Sequence, residues 1–200
     1  MPKLVIPRLF IPKVVCDTIR PKDFRNERWE ENGVDYIFRG DELDRVLFDL
    51  EEGAYVQYGM GQSMKSFYGS RPGSYPEQGA AMIDFTSDQI QKVRKLPFKS
   101  VNTIYLVAPF DEWLERLEKR GDLEDDDRIA RYGEGALSLE TSLPDEGIVF
   151  VVNRNNQLEQ TVEDVTLVIE QKYDMKRQEL AREVGRQMLA GIQELNLVAS

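Results

Sequence analysis

Thr103-Ile104-Tyr105-Leu106-Val107-Ala108 is an apolar run of buried-strand length, and Ile148-Val149-Phe150-Val151-Val152 is another. Between them, Asp111 opens a stretch that sets Trp113, Leu114 and Leu117 at helical spacing. Strands buried on both faces and alternating with helices point to an α/β domain with a parallel sheet, because parallel neighbours need a crossover that covers a face. Toward the N-terminus, residues 80–85 form a further apolar run and are expected to be a buried strand. Residues 4–6, 14–16, 36–38 and 54–58 read as short strands. Asp41 is expected to cap a helix with Leu43, Val46, Leu47 and Leu50 on one face. Asn32-Gly33 is a turn signal, and residues 59–79, rich in Gly, Ser and Pro, read mostly as loop.

Toward the C-terminus, Val162, Val165, Ile169, Tyr173, Leu180, Val184 and Met188 recur at mostly three- and four-residue steps. Residues 158–195 are therefore one long helix or two. The first half packs on its own domain, and the part after about Lys172 is a C-terminal helical extension available to a partner or a second copy of the chain.

Composition narrows the chemistry. The chain has 200 residues, no His, one Cys and a formal net charge of −10, with 41% hydrophobic and 10% aromatic residues. That is enough apolar content for a core. Lacking His, the chain has no Ser-His-Asp triad and no His-ligated metal. Cys16 alone forms neither an internal disulfide nor a multi-Cys zinc site, which fits a reducing compartment such as the cytoplasm. The acidic balance argues against broad nucleic-acid binding. No apolar run approaches the roughly 20 residues that span a bilayer. Pro2, Pro7 and Pro12 break up the first apolar pieces, unlike a secretory leader.

The segments that carry chemistry are, in order, Cys16-Asp17-Thr18-Ile19-Arg20-Pro21, Gly33-Val34-Asp35-Tyr36-Ile37-Phe38, Gly53-Ala54-Tyr55-Val56-Gln57-Tyr58 and Phe67-Tyr68-Gly69-Ser70. In the second half, Arg116-Leu117-Glu118-Lys119-Arg120-Gly121, Arg131 and Val151-Val152-Asn153 follow. This succession resembles the guanylate kinases, whose T-T-R, G-x-D-Y-x-F and Y-Y-G-[ST] segments build a GMP-binding subdomain. An R-L-x-x-R-G segment precedes the lid of that family. The likeness spans roughly residues 13–171. It implies a guanylate-kinase-like domain over residues 1–171, with a GMP-binding subdomain at about 20–79 and a lid at about 116–135. Residues 172–200 would be the extension.

The resemblance also assigns roles. Arg20, Tyr36 and Tyr68 would hold the GMP phosphate; Cys16, Gln57 and Ser70 would face the base. Asp84 would stand near the nucleotide or its Mg²⁺. Arg116, Arg120 and Arg131 would clamp phosphate oxygens from the lid, since phosphoryl transfer rests on positioning and charge neutralisation, and guanidinium groups bind such oxygens bidentately. The plain alternative for Arg116 and Arg120 is a solvated i, i+4 helix face among Glu115 and Glu118. Tyr36, Tyr55 and Tyr68 could equally be strand packing residues, and for Tyr55 packing is the favoured reading. The acidic run at 122–127 favours the start of the following helix.

Several features depart from the family. Guanylate kinases begin with a strand, a G-x-x-x-x-G-K-[ST] loop whose N–H groups cradle the ATP phosphates, and a helix. No stretch of the chain matches that loop, and the residues before Val14 are too few for the unit. Gly59-Met60-Gly61-Gln62-Ser63-Met64-Lys65-Ser66 comes close, with Met64 in place of the second Gly, but no helix pattern follows and it reads as a hairpin loop. Cys16 stands where the family has Ser, and Gln57 where it has a Glu that reads guanine. A second phosphate arginine is either Arg25 or Arg28. Asp84 matches one member of an acidic pair, and Thr86 stands in for the other.

Two functions follow. One is a nucleoside monophosphate kinase moving phosphate from ATP to GMP with Mg²⁺, its missing loop supplied from elsewhere. The other is a catalytically silent module that binds a nucleotide or a protein.

Overall fold

The structure, a computed structural model, describes residues 11–22, 30–61, 66–119 and 125–199. Contacts divide the chain into two units, Met1–Phe98 and Lys99–Ser200.

In the first unit β1 (Cys16–Thr18) has a neighbour on each side. β2 (Tyr36–Phe38) runs parallel to it, and β4 (Ser66–Ser70) antiparallel. β3 (Gln57–Gly61) pairs with the far edge of β4, so the four-stranded sheet has the order β2-β1-β4-β3. The β3–β4 ladder runs in register from Gln57↔Ser70 to Gly61↔Ser66, a hairpin. The glycine-rich stretch at 59–66 therefore contributes strand ends, as its hairpin reading required, and residues 59–79 hold more strand than expected. Residues 62–65 lie outside the described residues.

α1 (Leu43–Glu51) buries Val46 against Tyr55 and Phe67, with Ile19 and Leu50 alongside. Tyr55 and Phe67 meet edge-on with ring centres 5.1 Å apart. Gly69 sits beneath these rings: a Cβ there would lie 2.5 Å from Phe67 Cζ and 2.7 Å from Tyr55 Cδ1, so the position admits no side chain. Asp41 does not cap α1. The N-cap is Glu42, with no side-chain cap bond, because Arg39 engages Glu42 through both its carbonyl and its guanidinium (2.8 Å each).

Residues 80–85 do not form the expected strand. They make one parallel bridge, Lys13↔Met82, through Val14 N–H to Met82 O (2.7 Å) and Met82 N–H to Pro12 O (2.9 Å). Beyond it both edges of β1 are taken by β2 and β4, so the pairing cannot extend. After it comes the single turn α2 (Ile90–Val93), whose Ile90 and Val93 are buried.

In the second unit β5 (Thr103–Val107) and β6 (Ile148–Val152) pair in parallel from Thr103↔Ile148 to Val107↔Val152, as their apolar runs predict. α3 (Phe110–Lys119) and α4 (Asp125–Ser142) lie between them in sequence. The C-terminal pattern resolves into two helices, α5 (Leu158–Ile169) and α6 (Met175–Ala199). The break is a Schellman motif. Gln171 adopts φ +57°, Gln171 N–H bonds Val168 O (3.0 Å) and Lys172 N–H bonds Leu167 O (2.8 Å). No glycine marks it, which is why the periodicity left one helix or two open.

α6 buries Ala181, Val184, Met188 and Ile192 within its own unit. Arg182 donates to the carbonyls of Leu143, Asp145 and Ile148 at 2.5–2.9 Å, and Gln178 exchanges bonds with Ile148 O and Phe150 N. Gly191 allows a close approach, since a Cβ there would stand 2.6 Å from the Phe110 ring. Its main apolar face is thus already covered. The architecture is mixed α/β with a two-stranded parallel sheet. Among the described residues no helix is long and apolar enough to cross a membrane.

Candidate functional site

The sheet of the first unit opens into a pocket of about 220 Å³. β1 contributes Cys16, β2 Tyr36, β3 Gln57 and β4 Tyr68, while the segment bridged to Lys13 contributes Asp84 and Thr86. Six residues singled out by sequence, spread from position 16 to 86, thus line one concavity. Its volume is below the roughly 300 Å³ at which pockets that enclose a whole drug-sized ligand begin. It has room for one end of such a molecule.

Cys16 and Gln57 form the buried floor, Tyr36 and Tyr68 are half-buried, and Asp84 and Thr86 are exposed. Ser70 is fully buried behind the lining. Its hydroxyl donates to Gln57 Oε1 (3.4 Å) and lies 2.7 Å from the Tyr75 hydroxyl. A chain running from Tyr75 through Ser70 to the amide oxygen leaves both amide N–H donors of Gln57 for the pocket. Ser70 is not among the lining residues, and its hydroxyl orients the Gln57 amide from behind them.

Burial is the main cause of the raised thiol and phenol pKa values in the pocket. It pushes the Cys16 thiol up to about 11, with Asp84 and Asp17 adding to the shift and Lys13 opposing it. At neutral pH this thiol is an uncharged hydrogen-bonding group, not a nucleophile. Burial likewise pushes the Tyr36 hydroxyl up to about 12, helped by Tyr68 and Asp84, so it stays a donor. The Tyr36 and Tyr68 rings pack with centres 5.7 Å apart.

Arg20 is 1% exposed and gives both terminal nitrogens to Glu30, itself 3% exposed, at 2.7 Å each. Its guanidinium also lies 5.1 Å from the Tyr36 ring centre and 5.2 Å from that of Phe38. Burial opposes its charge, but Glu30, with Tyr68 beside it, holds its pKa above the ordinary value.

Behind the pocket lies a network that the sequence did not announce. The buried Asp17 carboxylate accepts from Tyr55 OH and Arg71 Nε at 2.8 Å, with Arg39 Nε at 3.4 Å. Arg71 Nη2 reaches on to Asp49 at 2.6 Å, which also meets Arg45 at 3.0 Å. Asp17 directly follows Cys16 within β1 and Arg71 directly follows the end of β4, so the network ties together the two strands that carry Cys16 and Tyr68. Tyr55 is a packing residue, as expected, and a hydrogen-bonding one too.

In the second unit Arg116 is 32% exposed. Its Nη2 donates to Asn153 O (2.7 Å) and its Nε to Asn155 Oδ1 (2.8 Å), with Glu112 at 3.5 Å. The R-L-x-x-R-G and V-x-N segments thus meet, with Arg116 fastening α3 to the end of β6. Arg131 is half-buried on α4. Arg120, Arg25 and Arg28 lie outside the described residues. Among the described residues no group of three or more His, Cys, Asp or Glu side chains could hold a metal ion.

No protein-family model matches the chain, and no curated protein matches it.

Proposed function

We propose that the chain is a guanylate-kinase-like protein that binds a purine nucleoside monophosphate, GMP or a close relative, in the pocket of its first unit. The observation that carries this reading is the convergence of Cys16, Tyr36, Gln57, Tyr68 and Asp84 on one cavity. These positions come from segments that lie far apart in the chain. The chemistry suits the ligand: Gln57 offers amide donors to a base edge, and Tyr36 and Tyr68 offer hydroxyls to a phosphate.

Phosphoryl transfer from ATP is the further step that the family resemblance implies. Asp84 and the Thr86 hydroxyl suit Mg²⁺, which takes one or two carboxylates and completes its shell with phosphates and water. The ATP phosphates fit less well. The chain carries no G-x-x-x-x-G-K-[ST] loop, and the nearest stretch is built into the β3–β4 hairpin. The donors of Arg116 that reach Asn153 and Asn155 favour the second reading, a nucleotide-binding module without transfer of its own.

Calorimetric titration with GMP, AMP and IMP tests the binding. Saturable binding of at least one supports the reading, and silence toward all three ends it. A coupled assay for ADP formation from ATP and the bound monophosphate then separates kinase from silent module.

A further inference from the structure

The pocket has a positive group that the motif order never pointed to. Lys13 lines it, half-buried, with Nζ 4.8 Å from the centre of the Tyr36 ring. Its backbone is pinned by the bridge to Met82, two residues before Asp84. Among the described residues no carboxylate forms an ion pair with it, while Arg20, the cation that the resemblance assigns to phosphate, is locked by two bonds to buried Glu30. Freeing Arg20 would strand a carboxylate in the interior.

A phosphate monoester carries close to two negative charges at neutral pH. It must approach a chain whose net charge is −10, so a local cation has to offset an unfavourable field. Lys13 is the cation among the described lining residues. Its ammonium is a compact charge on a flexible stem with three donors, and a contact to a ring face is easily exchanged for an anion.

We infer that Lys13 is the anion anchor of this pocket, swinging from the face of Tyr36 to meet the phosphate monoester of the bound ligand in place of Arg20. This rests on the reading of the pocket as a monophosphate site. Asp84 lines the same pocket, and where no Mg²⁺ bridges them its charge repels the phosphate, which leaves the Lys13 side as the place where it settles.

The test is calorimetric titration of the full chain, wild type and Lys13→Met, with GMP, ribose 5-phosphate and guanosine. Lys13→Met is expected to weaken GMP and ribose 5-phosphate by about tenfold or more, the loss of one charge-assisted hydrogen bond, and to leave guanosine unchanged. Lys13→Arg keeps most of the affinity, and added salt weakens GMP binding to the wild type more than to Lys13→Met. Unchanged GMP affinity in Lys13→Met, or an equal loss for guanosine, overturns the anchor and leaves the monophosphate reading standing. Ribose 5-phosphate binding that depends on Lys13, without binding of any nucleotide, keeps the anchor and ends the nucleotide reading. No binding of any probe to the wild type ends both. If Lys13→Met does not fold, Lys13→Gln takes its place.

Discussion

Arg20 and Glu30 form a two-pronged ion pair, Nη1 to Oε2 and Nη2 to Oε1 at 2.7 Å each, with neither side chain more than 3% exposed. Two charges out of water hold each other only while both are present. Glu30→Gln is expected to destabilise the fold by about 3–5 kcal/mol, the usual result of breaking a buried pair from one side. Urea unfolding measures it. In Arg20→Met/Glu30→Gln the loss is smaller than the sum of the single changes, because no charge is left stranded.

In the proposed monophosphate site Gln57 is the residue that would meet the base edge. An amide offers one acceptor, whereas a carboxylate accepts two charge-assisted bonds from the guanine N–H groups, worth roughly 1.5–3 kcal/mol against about 1 for a neutral bond. Gln57→Glu is expected to tighten GMP several-fold and to weaken AMP. Parallel titrations with both nucleotides check it, and an unchanged GMP-to-AMP ratio would remove Gln57 from base recognition.

Gly69 leaves no space beneath Phe67 and Tyr55. Gly69→Ala must displace two core rings and is expected to cost about 1–3 kcal/mol. The Tyr55 hydroxyl also bonds Asp17 and Arg71, so the displacement reaches the network behind the pocket. A lower thermal midpoint together with weaker ligand binding is the expected outcome.

Alkali should loosen the first unit through its buried hydroxyls. Burial pushes Tyr36 and Tyr55 up to about 12, with the bond to Asp17 adding to the Tyr55 shift, from an ordinary value near 10. The folded state binds these protons more tightly than the unfolded chain does. The stabilisation is therefore complete below about pH 10 and is lost as pH rises through about 12. Cys16 adds an earlier loss between about 9 and about 11. Tyr36→Phe should flatten the alkaline limb of a denaturation series. For the same reason the thiol should resist iodoacetamide at pH 8 until the chain unfolds.

Arg116 joins α3 to Asn153 and Asn155 through side-chain bonds. Arg116→Met is expected to lower stability by about 1 kcal/mol, the loss of hydrogen bonds to part-buried acceptors that water can partly replace. A loss of ligand affinity without a loss of stability would mean that its task is the phosphate clamp.

The parallel pair β5–β6 and the strand Tyr36–Phe38 were legible in the sequence because short runs of apolar, β-branched and aromatic residues favour a strand, although Tyr36–Phe38 is only half-buried and Leu106 of β5 is exposed. The convergence of Cys16, Tyr36, Gln57, Tyr68 and Asp84 was legible only as an order of motifs. Sequence order names residues but not distances. Tertiary structure decided everything that depends on competition for a partner. Residues 80–85 look like a strand, yet β1 has both edges filled and offers them a single bridge. Gln171 ends a helix without a glycine, because the Schellman bonds offset the strain of its positive φ. The motif order offers Arg20 as a phosphate ligand but cannot show that it pairs with buried Glu30, and Lys13 carries no motif at all. Residue types determine which charges exist. Only the folded chain decides which charges are already neutralised, and so which one is left to meet a ligand.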